Sequence, residues 1–393
     1  MAEELIEASL DFSAAVTHSW DVIVIGAGPA GAVAALACAR QGLQTLLLDR
    51  KDFPRAKVCG GCLNQAALAQ LAELGLDALP AELGALPVNR FRLAANRTEA
   101  VIELPGGMAL SRQRLDAGLV RAAIGAGAQF LPHTLAVDAG LEPNHRVLRL
   151  KSRHDHGEAR TRLVIAADGL RGRFTEGLPT IASVTKDDAF IGLGANFDEQ
   201  DGYPAGVIHM ATHRHGYVGL VRVEGGLLNL AGALDPRWLH RVGSPAEAIG
   251  RVLAGVGWPI PSGLTTARLK GTPSLSTFRS PVANDRVLLV GDAAGYWEPF
   301  TGEGMAWALL GGRAAAAQAG SAPSLDDSQA MTARWCKTYD TVVRKRQRTC
   351  AMLTRWLRRP LWVNLGVRVL AVAPMLSRGL VRRLNAMSPT SIP

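Results

Sequence analysis

The alternation of apolar and polar positions divides the chain into a parallel α/β part, a β-rich middle and a helical end. Between residues 21 and 49, an apolar run (VIVI) precedes GAGPAG, an alanine-rich stretch, a glycine stop and a second apolar run (TLLL). Short apolar runs rich in β-branched residues are typical of buried parallel strands. This order predicts a strand, a tight turn, a helix and a second strand.

The rest of the chain follows the same two periodicities. Helices are predicted at 65–74, 112–125 (entered through Ser111), 245–254 and after 304, and strands at 90–93, 100–104, 146–150, 162–166 and 287–290. Between 181 and 272 the runs IGLGANF, GVIHMATH, GYVGLVRV and LLNLAGAL predict an antiparallel sheet. Residues 1–20 are expected to form a loose arm. The predicted fold is therefore α/β, with a nucleotide-binding domain (20–180 and 273–330), an interposed substrate-binding sheet domain (181–272) and a basic helical region (331–393).

Three glycines follow the first strand at the spacing G-x-G-x-x-G, as Gly26, Gly28 and Gly31. The first makes the turn, the second lets the backbone approach a diphosphate, and the third lets helix and strand pack closely. The diphosphate would lie at the helix N-terminus, where free N–H groups favour an anion. Asp49, 18 residues after Gly31, stands where a carboxylate binds a ribose hydroxyl pair. The segment thus predicts a Rossmann-like dinucleotide site, whose turn residues are Gly26, Ala27, Gly28, Pro29, Ala30 and Gly31.

Composition limits the class of protein and locates its charge. Apolar residues make up 48% and charged residues 20% of the 393 positions, which is typical of a well-packed globular protein. An acidic N-terminal stretch argues against a secretory leader, and five cysteines, an odd number, fit a reduced cytoplasmic protein. Residues 341–393 hold eleven Lys or Arg and no acid, so the net charge of +9 leaves −2 for residues 1–340. The basic character therefore belongs to the tail.

Three separated stretches resemble one family. GAGPAG, VIAADG (164–169) and LLVGDAAG (288–295) resemble the flavoprotein hydroxylase superfamily, with the glutathione-reductase-type FAD fold of p-hydroxybenzoate hydroxylase. This resemblance spans about residues 20–330 and implies FAD as cofactor. It implies that Asp292 hydrogen-bonds the ribityl chain and that Arg112 approaches the diphosphate, although Arg112 could instead be a surface helix arginine. It further implies a loop at 299–304 beside the pyrimidine edge of the flavin, with the following helix aimed at N1 and O2. The other cofactor-binding residues that it implies are Arg50, Ala136, Gly302, Glu303, Gly304 and Met305.

Two further motifs narrow the resemblance. KVCGG (57–61) and PFTGEGM (299–305) are similar to the geranylgeranyl reductase branch, whose members commonly carry Cys-Gly-Gly after the second strand. Cys59 would then lie near the flavin or the substrate as a candidate proton donor, with packing around the two glycines as the alternative role. The resemblance places Gly60, Gly61, Cys62, Phe300 and Thr301 on the substrate side. Halogenase relatives usually carry W-x-W-x-I-P, of which WPIP (258–261) is only a fragment.

Neither cysteines nor histidines predict a metal site. Cys59 and Cys62 form a C-x-x-C, but no second Cys/His pair at zinc spacing accompanies them. His209, His213 and His215 in HMATHRH are more typical of cavity or surface residues in a flavoprotein sheet.

The tail leaves two interpretations open. Residues 361–376 are strongly apolar, but the run is short and contains Arg368, which argues against a membrane span. Basic helices bearing Trp356 and Trp362 fit peripheral contact with an anionic membrane surface, or alternatively a lid over the substrate cavity. Nothing in the chain resembles a nucleic-acid recognition fold, so no nucleic-acid partner is predicted.

These observations predict an FAD-dependent oxidoreductase that reduces a C=C bond of a lipophilic, isoprenoid or polyketide-like substrate. An FAD monooxygenase acting on an aromatic or lipid-tailed substrate is the alternative, and a membrane-binding protein with structural FAD is a third. No second G-x-G-x-x-G is present, so NAD(P)H visiting the flavin and ferredoxin both stay open as electron donors.

Overall fold

The structure is a computed structural model that describes residues 4–198, 200–298, 300, 302–321, 327–348, 350–351 and 359–373. Its strands are β1 (Ser19–Ile25), β2 (Thr45–Leu48), β3 (Cys62–Asn64), β4 (Leu86–Pro87), β5 (Arg90–Ala95), β6 (Thr98–Glu103), β7 (Gly107–Ala109), β8 (Gln129–Leu131), β9 (Leu135–Leu141), β10 (Arg146–Lys151), β11 (His156–Ala166), β12 (Ala182–Thr185), β13 (Ile191–Phe197), β14 (Val207–His213), β15 (Gly216–Arg222), β16 (Leu228–Leu234), β17 (Lys270–Ser274), β18 (Thr277–Ser280), β19 (Ala283–Asn284), β20 (Val287–Leu289) and β21 (Gly295–Tyr296). Its helices are α1 (Phe12–Thr17), α2 (Pro29–Arg40), α3 (Gln65–Ala72), α4 (Leu79–Glu82), α5 (Arg112–Gly125), α6 (Arg173–Glu176), α7 (Pro236–Val242), α8 (Pro245–Val256), α9 (Gly304–Gly320), α10 (Ser328–Tyr339) and α11 (Pro360–Val372).

The first sheet is built around parallel strands in the order β20-β11-β1-β2-β8. The apolar runs of β1 and β2 are buried, as is typical of parallel strands inside an α/β sheet, and α2 packs against both of them. The antiparallel strands β9, β10 and β19 extend it. The carboxyl ends of β1, β2, β11 and β20 therefore lie together, and the loops that follow them meet at one edge of the sheet. The α/β fold class predicted from the sequence is confirmed.

Helices α2 and α9 pack tightly against each other beside this sheet. A Cβ atom at Gly312 of α9 would overlap the carbonyl oxygen of Ala30, so only glycine allows the two backbones to come so close. Asn64 and Ser111 cap α3 and α5 by accepting hydrogen bonds from the N–H groups of Ala67 and Arg114.

The second sheet has seven strands in the order β17-β13-β16-β15-β14-β5-β6. It extends beyond residues 181–272, because β5 pairs in parallel with β14 and brings β6 with it. The sheet domain predicted from the sequence, 181–272, leaves β5 and β6 in the nucleotide-binding domain. The structure instead places both strands in the second sheet. The exact domain boundaries stay a prediction. One face of this sheet packs against α8, whose apolar side chains are buried.

The N-terminal segment is not a loose arm. The Ile6 N–H donates to the Phe53 carbonyl, and the Ser9 N–H donates to the Phe130 carbonyl. Helix α1 follows and buries Ala15. These contacts attach residues 6–17 to the first sheet, and local polarity in the sequence gave no sign of them.

Helix α10 packs against the first sheet, and α11 packs against the second. Trp335 is fully buried, and its indole N–H donates to the carbonyl of Leu289 in β20. Helix α11 lies on β5 and β6. Among the described helices, none has the length and apolar character needed to span a bilayer.

Candidate FAD site

The three glycines between β1 and α2 have two different structural roles. Gly26 has φ +100°, and a Cβ there would overlap the carbonyl oxygen of Ala167. A Cβ at Gly31 would overlap the carbonyl oxygen of Gly26, so both residues are fixed by packing. A Cβ at Gly28 would meet only guanidinium groups, 3.5 Å from Arg112 and 3.8 Å from Arg55. Gly28 therefore faces an open space bordered by two cations, directly before the N-terminus of α2.

Asp49 is held at the end of β2 in a fixed orientation. Its Oδ2 accepts the N–H of Ala27 at 2.9 Å, and its Oδ1 accepts the N–H of Lys51 at 2.9 Å. Arg55 approaches the same carboxylate at 3.4 Å. The acid predicted to bind the ribose thus lies beside the glycine turn.

A buried ion pair positions Arg112. Asp116, with 0% exposure, accepts from Arg112 Nε at 2.7 Å and from Nη2 at 2.8 Å, and Arg55 lies 3.4 Å away. Burial disfavours the charged guanidinium, but the pairing with Asp116 outweighs burial and raises the pKa of Arg112. Arg112 is 8% exposed, so the alternative of a surface helix arginine is wrong.

Lys57 joins three loops at the edge of the first sheet. Its Nζ is 3.7 Å from Asp292 Oδ2 and 3.4 Å from the position of a Cβ on Gly169. Burial lowers the pKa of Lys57, and the charge of Asp292 opposes this effect. The loops containing KVCGG, VIAADG and GDAAG therefore meet around one ion pair.

The VIAADG and GDAAG loops are also tied by buried side chains. The Asp168 carboxylate accepts the N–H of Phe174 at 2.9 Å at the start of α6. Arg279 donates to the carbonyls of Ala293 at 2.9 Å and Leu170 at 3.3 Å. Burial raises the pKa of Asp168 and lowers that of Arg279, because each charge is taken out of water.

The loop before α9 leads into a helix that begins at Gly304, where the sequence predicted it. Gly302 has φ +73°, and α9 begins at Gly304 with Met305 buried. The Glu303 carboxylate accepts the indole N–H of Trp307 at 3.2 Å, and burial raises the pKa of Glu303. One oxygen of the Glu303 side chain is thus engaged by the first turn of α9. Thr301 lies outside the described residues.

The KVCGG loop rests against the second sheet. Asn229 of β16 donates its side-chain N–H to the Cys59 carbonyl at 3.0 Å, and a Cβ on Gly194 of β13 would lie 3.0 Å from Val58. Gly61 has φ +68° and leads into β3, where Cys62 pairs with Ala109. Burial and the nearby Cys59 raise the pKa of Cys62 to about 12, so Cys62 is a thiol at neutral pH.

Tyr296 extends this cluster. Burial raises the pKa of its phenol well above the usual value, and the negative charge of Asp292 acts in the same direction. Its hydroxyl therefore keeps its proton near Cys59.

The second sheet turns a row of small residues toward this loop. Residues that face each other across β13, β16, β15 and β14 are Gly194, Ala231, Gly219 and Met210. Three neighbouring strands thus carry no side chain larger than a methyl group in this row. Glycine within a strand often marks the close approach of a ligand or another backbone. The row continues through Leu93 and Ala100 to the cluster formed by α11, Phe91, Tyr217 and Phe300.

The structure brings most of the predicted cofactor-binding residues together at one edge of the first sheet. Two of them, Ala136 and Arg50, lie at the margin of this group. Ala136 is buried in β9, just after Thr134, whose N–H donates to the Asp49 carbonyl at 2.9 Å. Arg50 follows Asp49 directly and is exposed. Sequence analysis missed Arg55, Lys57, Asp116 and Tyr296. Asp116 could have been found from its i+4 spacing to Arg112, and Lys57 from its position at the head of KVCGG.

No metal centre accompanies this site. Among the described residues, no three His, Cys, Asp or Glu side chains are grouped as metal ligands. His213 and His215 pack against Trp238, and His209 lies 3.2 Å from Arg92, on the far side of the sheet.

The residues of this site fit FAD. The open space at Gly28, the N-terminus of α2 and two guanidinium groups suit a diphosphate, and Asp49 suits a ribose. The resemblance would assign Asp292 to the ribityl chain and the start of α9 to the flavin. The individual residue contacts stay predictions.

Comparisons with known proteins agree with this fit. The family model described as "FAD binding domain" matches residues 19–312. Menaquinone reductase of Mycobacterium tuberculosis is 29% identical, with 77% of this chain and 76% of that protein covered. Digeranylgeranylglycerophospholipid reductase 1 of Methanopyrus kandleri is 30% identical, covering 79% of this chain and 83% of that protein.

A flavin-dependent brominase of known structure superposes with a TM-score of 0.78 over 94% of both chains. Its sequence identity is 16%, so the likeness concerns the fold alone. The FAD-site geometry, the family model and the two reductases together place this chain in the FAD binding domain family, as an FAD-dependent oxidoreductase of the geranylgeranyl reductase-like branch.

Proposed function

We propose that the protein reduces a C=C bond in an isoprenoid or similarly lipophilic substrate. The observation that carries this proposal is the row Gly194, Ala231 and Gly219, an apolar strip with no side chain larger than a methyl group, on which Val58 of the KVCGG loop packs at Gly194 and Met210 borders Gly219. Both named reductase relatives have names that refer to isoprenoid-bearing lipids or quinones. An elongated, uncharged chain suits such a strip, because it can lie flat on the sheet without leaving polar groups unpaired.

The reaction adds two hydrogens across the double bond. FAD, when bound and reduced by two electrons, would supply a hydride to one alkene carbon and return to its oxidised form. Cys59 holds the proton that goes to the other carbon, and its thiol is restored from solvent. Asn229 fixes the Cys59 backbone, and the apolar sheet face keeps water away from the reacting carbons. NAD(P)H or ferredoxin supplies the electrons.

The test is an anaerobic two-step assay. The holo-protein is reduced with NADH, NADPH or reduced ferredoxin, and the flavin absorbance is followed. A geranylgeranyl lipid or polyprenyl quinone is then added without O₂. The proposal expects flavin reoxidation and a product heavier by two hydrogens. Reoxidation only by O₂, with one oxygen atom inserted into the substrate, would instead assign the monooxygenase activity.

A slot-filling variant tests the role of the sheet separately. In Gly219→Val the new Cβ lies 3.4 Å from Met210 Cε and from the Ala231 carbonyl oxygen, so the fold accommodates it while the strip is filled. FAD content should be unchanged, and KM for a long isoprenoid should rise about tenfold or more. Gly271→Val is the control, because Gly271 lies in β17 of the same sheet with no contact closer than 4.0 Å to its Cβ position. Equal kinetics in both variants would remove the strip from the substrate site.

A further inference from the structure

Helix α11 is apolar on two opposite faces. Its inner face packs Val363 and Val367 against Leu93 and Met210 of the second sheet, with Leu370 and Phe300 at the margin. These positions follow the i, i+4, i+7 spacing of one helix face. The inner face alone accounts for the attachment of α11 to the protein.

The outer face of α11 carries apolar side chains into solvent. The exposed residues are Leu361 (82%), Trp362 (49%), Leu365 (53%), Val369 (42%) and Val372 (87%). Positions 361, 365, 369 and 372 again follow helical spacing, so they form one continuous stripe. Scattered exposed apolar residues need no explanation, but a contiguous apolar stripe marks an interaction surface. We call these five residues the outer stripe.

Cations and no anions surround the outer stripe along the chain. Arg359 and Arg368 are exposed at the start and within the helix. In sequence, residues 341–393 hold eleven Lys or Arg without one Asp or Glu. An apolar helix face flanked by cations matches the surface of an anionic bilayer, whose headgroups attract the cations while its interior accepts the apolar side chains.

We propose that α11 docks this protein on an anionic lipid bilayer by inserting the outer stripe at the level of the headgroups. The helix lies flat, and the aliphatic stem of Arg368 lets its guanidinium reach the phosphates. The inner face remains on the second sheet, so α11 lies between the bilayer and the apolar cluster containing Phe300. This proposal does not rest on the reaction that the flavin site performs. A purely intramolecular lid would use the inner face alone and would leave the outer stripe without a function.

The experiment is vesicle flotation of the full-length holo-protein. Vesicles contain phosphatidylcholine alone or with phosphatidylglycerol, at low and high salt. Wild-type protein should float with the anionic vesicles, and high salt should weaken binding. Leu365→Glu should lower partitioning about tenfold or more, because it removes apolar burial and adds a like charge. Arg368→Gln should lower binding to anionic vesicles about fivefold and leave neutral vesicles unaffected.

Leu141→Glu is the matched control. Leu141 is 51% exposed in β9, nearly the same as Leu365, but lies on the first sheet away from α11. Leu141→Glu should bind vesicles like wild type. Val369→Glu repeats the test on the stripe, and FAD absorbance reports folding in every variant.

Equal binding of Leu365→Glu and wild type would overturn the proposal, as would an equal loss in Leu141→Glu. A second copy of the chain is the competing occupant. If sedimentation shows a wild-type dimer that Leu365→Glu dissociates, and no variant binds vesicles, the outer stripe is a dimer interface instead. FAD reduction and substrate reduction are measured in a separate assay. A protein that does not bind vesicles can therefore still reduce the alkene, and a protein that does not reduce the alkene can still bind vesicles.

Discussion

Replacing Arg112 by Met is expected to reduce both folding stability and FAD affinity, and the structure lets the two effects be separated. Arg112 donates two hydrogen bonds to Asp116, at 2.7 and 2.8 Å, inside a fully buried environment. Met keeps the length of the side chain but removes the charge. The Asp116 carboxylate then keeps only Arg55, at 3.4 Å, as a charged partner.

The magnitudes follow from the burial of this pair. Breaking a buried ion pair from one side costs about 3–5 kcal/mol, and the remaining Arg55 should hold the loss near the lower end. A charge-assisted hydrogen bond to the FAD diphosphate contributes about 1.5–3 kcal/mol, which is roughly a 10–150-fold change in Kd. Arg112→Met should therefore lower the free energy of unfolding by about 3 kcal/mol and weaken FAD binding at least tenfold.

The double variant Arg112→Met/Asp116→Leu distinguishes a cofactor contact from a structural one. Removing both charges restores most of the stability, because an apolar pair of similar volume is often as stable as a buried ion pair. FAD affinity should stay low, since the Arg112 guanidinium is still missing and only that of Arg55 remains beside Gly28. Urea denaturation of the apo-protein measures stability, and quenching of flavin fluorescence measures Kd.

Arg121→Met is the control on the same helix. Arg121 is exposed and donates to the Glu4 carbonyl at the surface, so both readouts should change little. If the double variant regains wild-type FAD affinity together with its stability, Arg112 acts only through the fold, and the inferred diphosphate contact is wrong.

Three further predictions test other parts of the site. Gly31→Ala should destabilise the apo-protein by about 1–3 kcal/mol or more, because its Cβ would overlap the Gly26 carbonyl. Gly28→Ala should leave the stability of the apo-protein nearly unchanged and weaken FAD binding. Urea titration and FAD titration of both variants check this contrast, and equal stability losses would refute it. Burial and Arg92 lower the pKa of His209 to about 4 in the folded state. As pH falls from about 6.5 toward 4, the unfolded state binds a proton at His209 that the folded state does not. The free energy of unfolding therefore falls by at most about 2 kcal/mol at pH 5. An equally steep dependence of the free energy of unfolding on pH in His209→Gln and wild type would contradict this. Cys59→Ser should slow turnover while FAD content stays constant, and Cys336→Ser, at a half-buried free cysteine of α10, should change neither; unchanged kinetics in Cys59→Ser would leave Cys59 with a packing role.

Local patterns predicted the elements around the glycine motif well. Strand β2 ends at Leu48 beside Asp49, helix α2 ends at Arg40 just before the predicted glycine stop, and Ser111 caps α5. All three agree with what the sequence indicated. Each of these features depends on residues close in sequence: an apolar run, a glycine stop or a cap. Such short-range signals need no knowledge of the partner element.

Contacts between distant segments could not be predicted in this way. The parallel pairing of β5 with β14 joins residues more than 100 positions apart. The sequence of neither strand indicates which strand it pairs with. Arg55 and Lys57 lie in a polar loop that resembles a solvated turn in sequence. They become site residues only because Asp116 and Asp292 come from other segments to pair with them.

The proposed substrate strip shows why the FAD site could be predicted from the sequence more readily than a substrate surface. FAD recognition depends on a turn whose three glycines lie within six consecutive residues, so the motif can be identified from a short stretch of sequence. Gly194, Ala231 and Gly219 are far apart in the chain, and in each strand a small residue simply weakens the β signal. They form one row only because β13, β16 and β15 pair in the observed register. A shift of one residue would turn the small side chain of a strand to the opposite face, and a shift that brought Leu193, Leu230, Val218 or Leu220 into the row would fill the strip. The width of the proposed substrate surface is therefore set by strand register, which is a property of the folded sheet.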